Sequence, residues 1–275
     1  MYLDVATALV CNMGETTGPT DRACVPIFIV GCHSSGTTPL RLMLDSHQNI
    51  ACGPETRFLP DFAHLTRDSW EHVSLYGFPK EYWHRKIAEL FDGIKSDYAA
   101  SKGKRRWADK TPRYALSLDY IDELFPTCQI IHVIRDGRDV VVSHKHRRGY
   151  TSALKAIEKW PRYIRAARAV GNSLPSWRYR EVRYENLVNE TEAVMRELLD
   201  FLGEPWDQSV LAHDQKPHDL STSYGSFSSE RRVAAGEQAV IYRSRVGAHR
   251  REMDPVLRAL LYLRSGGTLK ELGYT

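Results

Sequence analysis

A short loop rich in glycine and serine is the part of the sequence best suited to bind an anion. Two glycines five positions apart, Gly31 and Gly36, are followed by two threonine hydroxyls. This spacing is typical of a P-loop, whose backbone N–H groups wrap a phosphate at the positive end of the next helix. We predict that the anion is held by six consecutive residues: His33, Ser34, Ser35, Gly36, Thr37 and Thr38.

The loop lacks the lysine that a nucleoside triphosphatase needs. In a Walker A loop, a lysine after the second glycine reaches the β- and γ-phosphates, and here Thr37 holds that position. No apolar run ends in an obvious Walker B aspartate, so a metal-bound triphosphate is disfavoured. The loop suits a ligand that carries one phosphate and a second anionic group, bound without Mg²⁺.

The surrounding residues predict the elements that position this loop. The apolar run 26–31 is typical of a buried parallel strand, and a helix is predicted from Thr38, with Pro39 in its first turn. A second strand is predicted over 129–134, with a helix from Asp139. Further elements are a strand over 180–184 and helices over 190–202 and from Asp254. This alternation predicts an α/β fold, a P-loop-type central parallel β-sheet flanked by helices on both faces.

Composition narrows the class of protein. Among 275 residues, 42% are hydrophobic and 26% are charged, which argues against intrinsic disorder and membrane residence. The net charge of +4 suits an anionic ligand but is too small to indicate nucleic acid. The five cysteines form no CxxC pair, so neither a disulfide framework nor a zinc site is predicted, and no other metal site is either.

The chain ends and the loops complete the organisation. Residues 1–25 have little periodicity and are predicted to be a loosely ordered arm, and residues 26–275 a single domain. Residues 214–250 are polar and are predicted to be a long loop region. No apolar stretch is long enough to span a membrane and the first residues lack a basic signal-peptide region, so a cytoplasmic location is expected.

Several ordered segments resemble the sulfotransferases that use 3′-phosphoadenosine 5′-phosphosulfate (PAPS). The loop and the helix after it are similar to the family's 5′-phosphosulfate loop, and Cys-Gly-Pro-Glu-Thr-Arg at 52–57 is similar to tyrosylprotein sulfotransferases and their bacterial relatives. The segments similar to the family's lysine segment, its 3′-phosphate motif and a third motif are 107–112, 134–143 and 183–187. The resemblance covers most of residues 26–250.

The resemblance implies a reaction and its co-substrate. A sulfonate would pass from PAPS to an acceptor hydroxyl by in-line displacement, without a metal, and 3′,5′-ADP (PAP) would be released. The acceptor stays open between a phenol, a tyrosine, a sugar and another alcohol, on a small molecule or a peptide. Nothing in the sequence indicates the oligomeric state.

The resemblance also assigns catalytic roles. Glu55 occupies the family's Gly-x-Glu-Thr-Arg position and is predicted to be the general base, with a structural partnership to Arg57 as the alternative. His47 is a competing base, although its position at a helix end favours capping. Lys110 is predicted to follow charge onto the leaving oxygen, against the alternative of a solvated lysine in the basic run 102–110.

A second group is predicted to bind the nucleotide. Arg135 follows a strand and Ser143 lies eight residues on, so both are placed on the 3′-phosphate. Tyr184 is assigned to the nucleotide, with a core tyrosine as an equal alternative. The family's Val-Gly-Arg-Trp segment is Val-Gly-Ala-His at 246–249 here, so Arg245 or Arg250 has to supply its charge.

One departure from the family keeps other functions open. The usual proline and cation before Ser-Gly are replaced by His33 and Ser34, and His33, Arg41 or Arg57 are the candidates to replace that cation. The alternatives are a catalytically impaired nucleotide-binding protein on the same scaffold and a P-loop kinase with a degenerate loop, which would need ATP and Mg²⁺.

Overall fold

The computed structural model describes residues 25–219 and 243–274 and contains a five-stranded parallel sheet. Its order is β2-β3-β1-β4-β5. Each neighbouring pair is parallel, with β1 in the centre between β3 and β4. The strands are β1 (Ile27–Gly31), β2 (Ile50–Cys52), β3 (Arg106–Lys110), β4 (Gln129–Ile134) and β5 (Tyr179–Arg183).

Helices connect the strands and cover both faces of the sheet, which confirms the predicted α/β fold. The α-helices of the described residues are α1 (Thr37–Ser46), α2 (Leu59–Ala63), α3 (Trp70–Val73), α4 (Lys80–Ser101), α5 (Leu118–Leu124), α6 (Gly137–Arg148), α7 (Tyr150–Gly171), α8 (Tyr184–Asn189), α9 (Thr191–Leu202), α10 (His249–Glu252) and α11 (Pro255–Glu271). Shorter turns of other helix types are His64–Asp68, Ser74–Tyr76, Pro112–Leu116, Gln208–Gln215 and Arg243–Arg245.

Two apolar cores lie on the two faces of the sheet. On one face, Phe28 of β1 packs with side chains of α4, α5 and α7. On the other, Ile27 and Ile29 pack with α1 and α9. Because successive residues of a strand point to opposite faces, the uninterrupted apolar run of β1 supplies both cores.

Most of the predicted elements are confirmed to within a residue. The strand over 129–134 is found with those bounds, and the helix predicted over 190–202 is α9, which ends at Gly203 in the left-handed conformation (φ 72°). Asp254 caps α11 by accepting hydrogen bonds from the backbone N–H groups of Val256 and Leu257.

The long loop predicted over 214–250 is wrong in part. The segment begins inside the turn Gln208–Gln215 and ends with the turn Arg243–Arg245 and the start of α10. Asp139 stabilises the C-terminal end of the segment, because it accepts hydrogen bonds from the backbone N–H groups of Gly247 and His249. Residues 220–242, and residues 1–24 of the predicted arm, lie outside the described residues.

Within the described residues, the helices are too short or too polar to cross a membrane, and the thiols are buried. Over 25–219 and 243–274, every helix falls short of the length and apolar character needed to cross a membrane. Cys32, Cys52 and Cys128 are buried free thiols, and burial raises the pKa of Cys32 to about 12 and that of Cys128 to about 11. These three thiols therefore stay protonated and act as small apolar core residues.

The aromatic cluster around Phe28 provides a test of the fold. Its ring lies 5.5 Å from Trp107 and 5.5 Å from Phe125, measured between centroids, and is fully buried. Phe28→Ala should lower the free energy of unfolding by about 3–5 kcal/mol, because the cavity would open in the layer between β1 and its helices. Urea unfolding measures this change, with Leu263→Ala at an exposed position of α11 as the control. A loss below about 1 kcal/mol at Phe28 would contradict the packing described.

Candidate active site

The carboxyl edge of the parallel sheet gathers the predicted site. The strands are ordered β2-β3-β1-β4-β5, and each has a candidate residue at this edge, either at its end or in the segment that follows it. Going across the edge, these are Glu55 after β2, Lys110 at the end of β3, the loop 32–36 after β1, Arg135 after β4 and Tyr184 after β5. Ligands of open α/β sheets collect at this edge.

The loop after β1 has the backbone shape of an anion cradle. Ser34 and Gly36 have positive φ values of 70° and 93°. A Cβ atom added to Gly36 would lie 2.1 Å from the Tyr184 ring, so only glycine fits there. This close packing seats the loop on the residue that follows β5.

The start of α1 offers donors to an anion. The Ser35 hydroxyl is buried and has no hydrogen-bond partner within the described residues. Thr37, also buried, is the first residue of α1, and Thr38 follows it at partial burial. Unpaired N–H groups at a helix start together with an orphaned hydroxyl fit a phosphate or sulfonate group.

Arg135 joins the loop to the C-terminal part of the chain. Its Nη1 donates to the carbonyl oxygen of Ser34 at 3.0 Å, and its Nη2 donates to that of Arg245 at 2.7 Å. The guanidinium lies 4.4 Å from the centroid of the Tyr184 ring, and its buried Nε has no partner within the described residues. Arg135 is thus a desolvated cation with a free donor beside the loop.

Tyr184 and Arg245 take part in this cluster in different ways. Tyr184 is 4% exposed, so it is a core tyrosine, and its ring also forms the surface on which Gly36 and Arg135 rest. Arg245 contributes its carbonyl oxygen, whereas its side chain points to Glu252 at 3.5 Å and is about half exposed. The structure therefore brings the backbone of Arg245, rather than its guanidinium, to the site.

Ser143 is less directly connected to this cluster. It lies nearly two turns into α6 and is half-buried, and its side chain makes no hydrogen bond within the described residues. Asp139, one turn earlier in α6, accepts hydrogen bonds from Gly247 and His249 and has a structural role. Arg138 is paired with Asp136 at 2.8 Å in the same way.

The two predicted catalytic residues form one ion pair. Lys110 Nζ donates to Glu55 Oε1 at 2.6 Å, and Arg57 Nε donates to Glu55 Oε2 at 2.8 Å. The Lys110 side chain is 2% exposed, so the alternative of a solvated lysine in a basic run is wrong. Arg57 is a non-glycine residue with a φ of 64°, a strained conformation of the kind that clusters at functional sites.

The charge states follow from burial and neighbouring cations. Burial alone would raise the pKa of Glu55, but attraction and hydrogen bonds from Lys110 and Arg57 outweigh it and hold the pKa below its ordinary value. Burial lowers the pKa of His33 to about 4, and Arg148, His144 and Arg57 contribute to that lowering against the attraction of Glu55. At neutral pH Glu55 is a carboxylate and His33 an uncharged imidazole.

His47 has a structural role. It is fully buried, its Nδ1 accepts from the backbone N–H of Asn49 at 3.1 Å, and its Nε2 lies 2.9 Å from the carbonyl oxygen of Pro205. Because both ring nitrogens are engaged at the C-terminal end of α1, His47 is excluded as the competing base.

Sequence reasoning missed the charged residues behind the site. Asp109 is fully buried and is bonded to Thr56 and to Lys95 of α4. The sequence did hold a signal for Asp109, because it lies beside Lys110. If that segment is a buried strand, the Asp109 carboxylate has to be paired with a donor or a cation. Within the described ranges, no group of three or more His, Cys, Asp or Glu side chains is arranged to hold a metal.

Comparison with curated proteins identifies the relatives of this chain. It is 33% identical over 220 residues to a protein-tyrosine sulfotransferase of Drosophila melanogaster, which covers 74% of this chain and 44% of that protein. It is 32% identical over 222 residues to protein-tyrosine sulfotransferase A of Caenorhabditis elegans, covering 75% and 57%. The chain thus spans about half the length of these relatives.

Solved structures share the fold. The sulfotransferase domain of the Synechococcus PCC 7002 olefin synthase matches with a TM-score of 0.61 at 22% identity, over 87% of this chain and 93% of that one. The sulfotransferase domain of the curacin biosynthetic pathway matches with a TM-score of 0.65 at 19% identity, over 90% and 97%. A mouse sulfotransferase solved with PAP matches with a TM-score of 0.51 at 15% identity, over 91% and 88%.

The comparisons overturn the expected location and confirm the family resemblance. The expected cytoplasmic location is wrong on this comparison, because the protein-tyrosine sulfotransferases that the chain resembles are Golgi-resident enzymes. The resemblance stated from the motifs is confirmed, since residues 26–208 match the sequence profile of the Sulfotransferase family. The chain belongs to that family.

Proposed function

We propose that this protein transfers a sulfonate group from PAPS to a hydroxyl group of a peptide, with Glu55 as the general base. One observation carries the proposal: Lys110, at the end of the strand next to β1 and its loop, forms an ion pair with Glu55 at 2.6 Å. Family membership and the PAP bound to a mouse structural neighbour support PAPS as the donor.

The order of the strands suggests how the donor lies. The loop after the central strand β1 would hold the 5′-phosphosulfate through its N–H groups and the Ser35 hydroxyl. Arg135 after β4 would hold the 3′-phosphate, with its unpaired Nε as a ready donor. Lys110, whose β3 pairs with the other side of β1, would then face the sulfonate end.

The chemical step is a single displacement at sulfur. The acceptor oxygen attacks the sulfur as the bond from sulfur to the 5′-phosphate oxygen breaks, and the acceptor proton passes to Glu55. Lys110 moves from Glu55 to the leaving oxygen, whose new negative charge it stabilises. Lys110 is the cation that lowers the pKa of Glu55 most. When Lys110 moves away, the pKa of Glu55 rises at the moment when it has to accept a proton.

A peptide acceptor is favoured by relatives and by charge. The relatives are protein-tyrosine sulfotransferases. The rings of His33 and Tyr163 lie 6.0 Å apart beside the loop, and four arginines are near enough to act on the pKa of one or the other: Arg57, Arg113, Arg148 and Arg162. A tyrosine flanked by acidic residues fits this surface, since its phenol needs a base and its neighbours need cations.

Donor binding can be measured by calorimetric titration with 3′,5′-ADP in the absence of metal, beside ATP with Mg²⁺. We expect micromolar binding of 3′,5′-ADP and none of ATP, because the loop has Thr37 where a triphosphate needs lysine. Binding of ATP with Mg²⁺ alone would favour the kinase alternative. Binding of 3′,5′-ADP without turnover of any peptide would favour the impaired nucleotide-binding protein.

Removing the base tests the role of Glu55. Glu55→Gln should leave donor binding nearly intact and lower turnover of a tyrosine peptide by roughly a hundredfold or more, because the amide cannot accept the proton. Glu89→Gln, at an exposed glutamate of α4, is the matched control. Turnover by Glu55→Gln at the rate of the unaltered protein would remove Glu55 as the base.

Removing the guanidinium tests the 3′-phosphate clamp. Arg135→Ala should weaken binding of 3′,5′-ADP by roughly ten- to a hundredfold and that of 5′-AMP much less, because only the first ligand carries a 3′-phosphate. Arg196→Ala, at an exposed position of α9, is the control in the same titration. Equal losses for both nucleotides would show that Arg135 acts only by supporting the loop through Ser34.

A further inference from the structure

A buried network lies directly behind the Glu55–Lys110 pair. Thr56 follows Glu55 in the chain, and Asp109 precedes Lys110 in β3. The hydroxyl of Thr56 donates to Asp109 Oδ2 at 2.9 Å. One hydrogen bond therefore joins the two residues adjacent to the proposed base and the proposed cation.

Asp109 is an acceptor for three donors. Lys95 Nζ donates to its Oδ2 at 3.1 Å, and the Thr111 hydroxyl donates to its Oδ1 at 2.7 Å, in addition to Thr56. The Lys95 side chain is 4% exposed and that of Asp109 is fully buried. A buried charge is stable only when it is paired, so the ion pair with Lys95 compensates the burial of the Asp109 carboxylate.

The hydrogen bonds of this network run in one direction. The backbone N–H of Leu59 donates to the Tyr114 hydroxyl at 3.3 Å, and that hydroxyl lies 2.7 Å from the Thr56 hydroxyl. Tyr114 is therefore free to donate to Thr56, which donates to Asp109. The Thr56 hydroxyl therefore depends on the position of Asp109, which is also the acceptor for Lys95.

Lys95 reaches this network from the side of α4. Trp107, two residues before Asp109 in β3, donates from its Nε1 to Asp92 of α4 at 2.8 Å, so Trp107 and Asp109 face that helix. Successive side chains of a strand point to opposite faces, which directs Lys110 away from α4. Lys95 therefore acts on Glu55 and Lys110 through their neighbours and not by contact.

We propose that Lys95 is a positioning residue for the reaction: by its ion pair with Asp109 it fixes Thr56, and with it the placement of Glu55 against Lys110. The expected effect on turnover rests on the proposed function, in which Glu55 and Lys110 catalyse sulfonate transfer. A displacement of about 1 Å in such a pair can cost roughly a hundredfold in rate, so a residue outside the site can control turnover.

The first experiment is kinetic. Lys95→Met keeps the length of the side chain and removes its charge, and we expect kcat to fall roughly ten- to a hundredfold while KM for PAPS stays within about threefold. Lys95→Arg should recover much of the rate. Lys86→Met, at an exposed lysine of the same helix, is the matched control and should behave as the unaltered protein.

The second experiment does not need turnover. Carbon-13 NMR titration of the glutamate carboxyl groups, with Glu55 assigned through Glu55→Gln, follows its pKa in each variant. Lys95→Met should raise the pKa of Glu55 towards its ordinary value, because Lys110 would no longer be held against it, and Lys86→Met should leave it unchanged. Failure of the unaltered protein to transfer sulfonate would overturn the proposed function while this titration still decides the role of Lys95.

A purely structural role gives a different result. A lower melting temperature in Lys95→Met, with kcat per folded molecule and the pKa of Glu55 both unchanged, would overturn the inference. Should Lys95→Met fail to fold, Thr56→Val removes only the hydroxyl that links the two segments and is expected to lower kcat and raise the pKa of Glu55. An unchanged kcat and pKa in Thr56→Val would equally overturn it.

Discussion

The parallel pairing of all five strands is the constraint on which this site depends. Parallel strands end at one edge, so residues far apart in sequence follow one another across it in the order of the sheet. That order is not the order of the chain: Glu55 and Lys110 come from β2 and β3 on one side of the central strand, and Arg135 and Tyr184 follow β4 and β5 on the other. Under the proposed function, a donor with an anionic group at each end would span this edge.

The cationic side chains of the site have hydrogen-bond partners within the protein before any ligand binds. Arg135 is held by the carbonyl oxygens of Ser34 and Arg245, and Lys110 by Glu55. A buried charge without partners costs several kcal/mol, so these contacts are what allow the cations to be desolvated. On binding, each cation would exchange a partner within the protein for an anionic group of the ligand. The positions of the cations are fixed before the ligand arrives.

The sequence predicted the parts of the fold that have a clear apolar pattern. The runs of β1 and β4 are apolar on both faces, and α9 has a helical stripe with a glycine stop, so local composition was sufficient. Strand β3 was missed because it reads Arg-Trp-Ala-Asp-Lys, in which three of the five buried residues are charged and need partners from elsewhere in the chain. Arg106, for example, donates to Glu204 and to the carbonyl oxygen of Leu202, contacts that no local pattern contains.

The site itself was predictable residue by residue but not as a geometry. The motifs pointed to Glu55 and Lys110 separately, and only the pairing of β2 with β3 puts them in contact. Arg245, with Arg250 as the alternative, was assigned from the family resemblance, yet the side chain of Arg245 is directed to Glu252 on the next short helix. Lys95 was out of reach because its partner Asp109 lies on a different element, 14 residues away.

The uncharged state of His33 bears on how the loop holds an anion. With His33 neutral and Ser34 where relatives carry a cation, the loop offers only N–H groups, hydroxyls and the helix dipole. Under the proposed mechanism, Lys110, which is paired with Glu55 in the free protein, supplies positive charge near the sulfonate. Under the proposed mechanism, donor binding and activation of the base are therefore one event, because Lys110 cannot turn to the donor without releasing Glu55. A loop with its own cation would bind the donor without that release, so the missing charge ties the basicity of Glu55 to the presence of the donor.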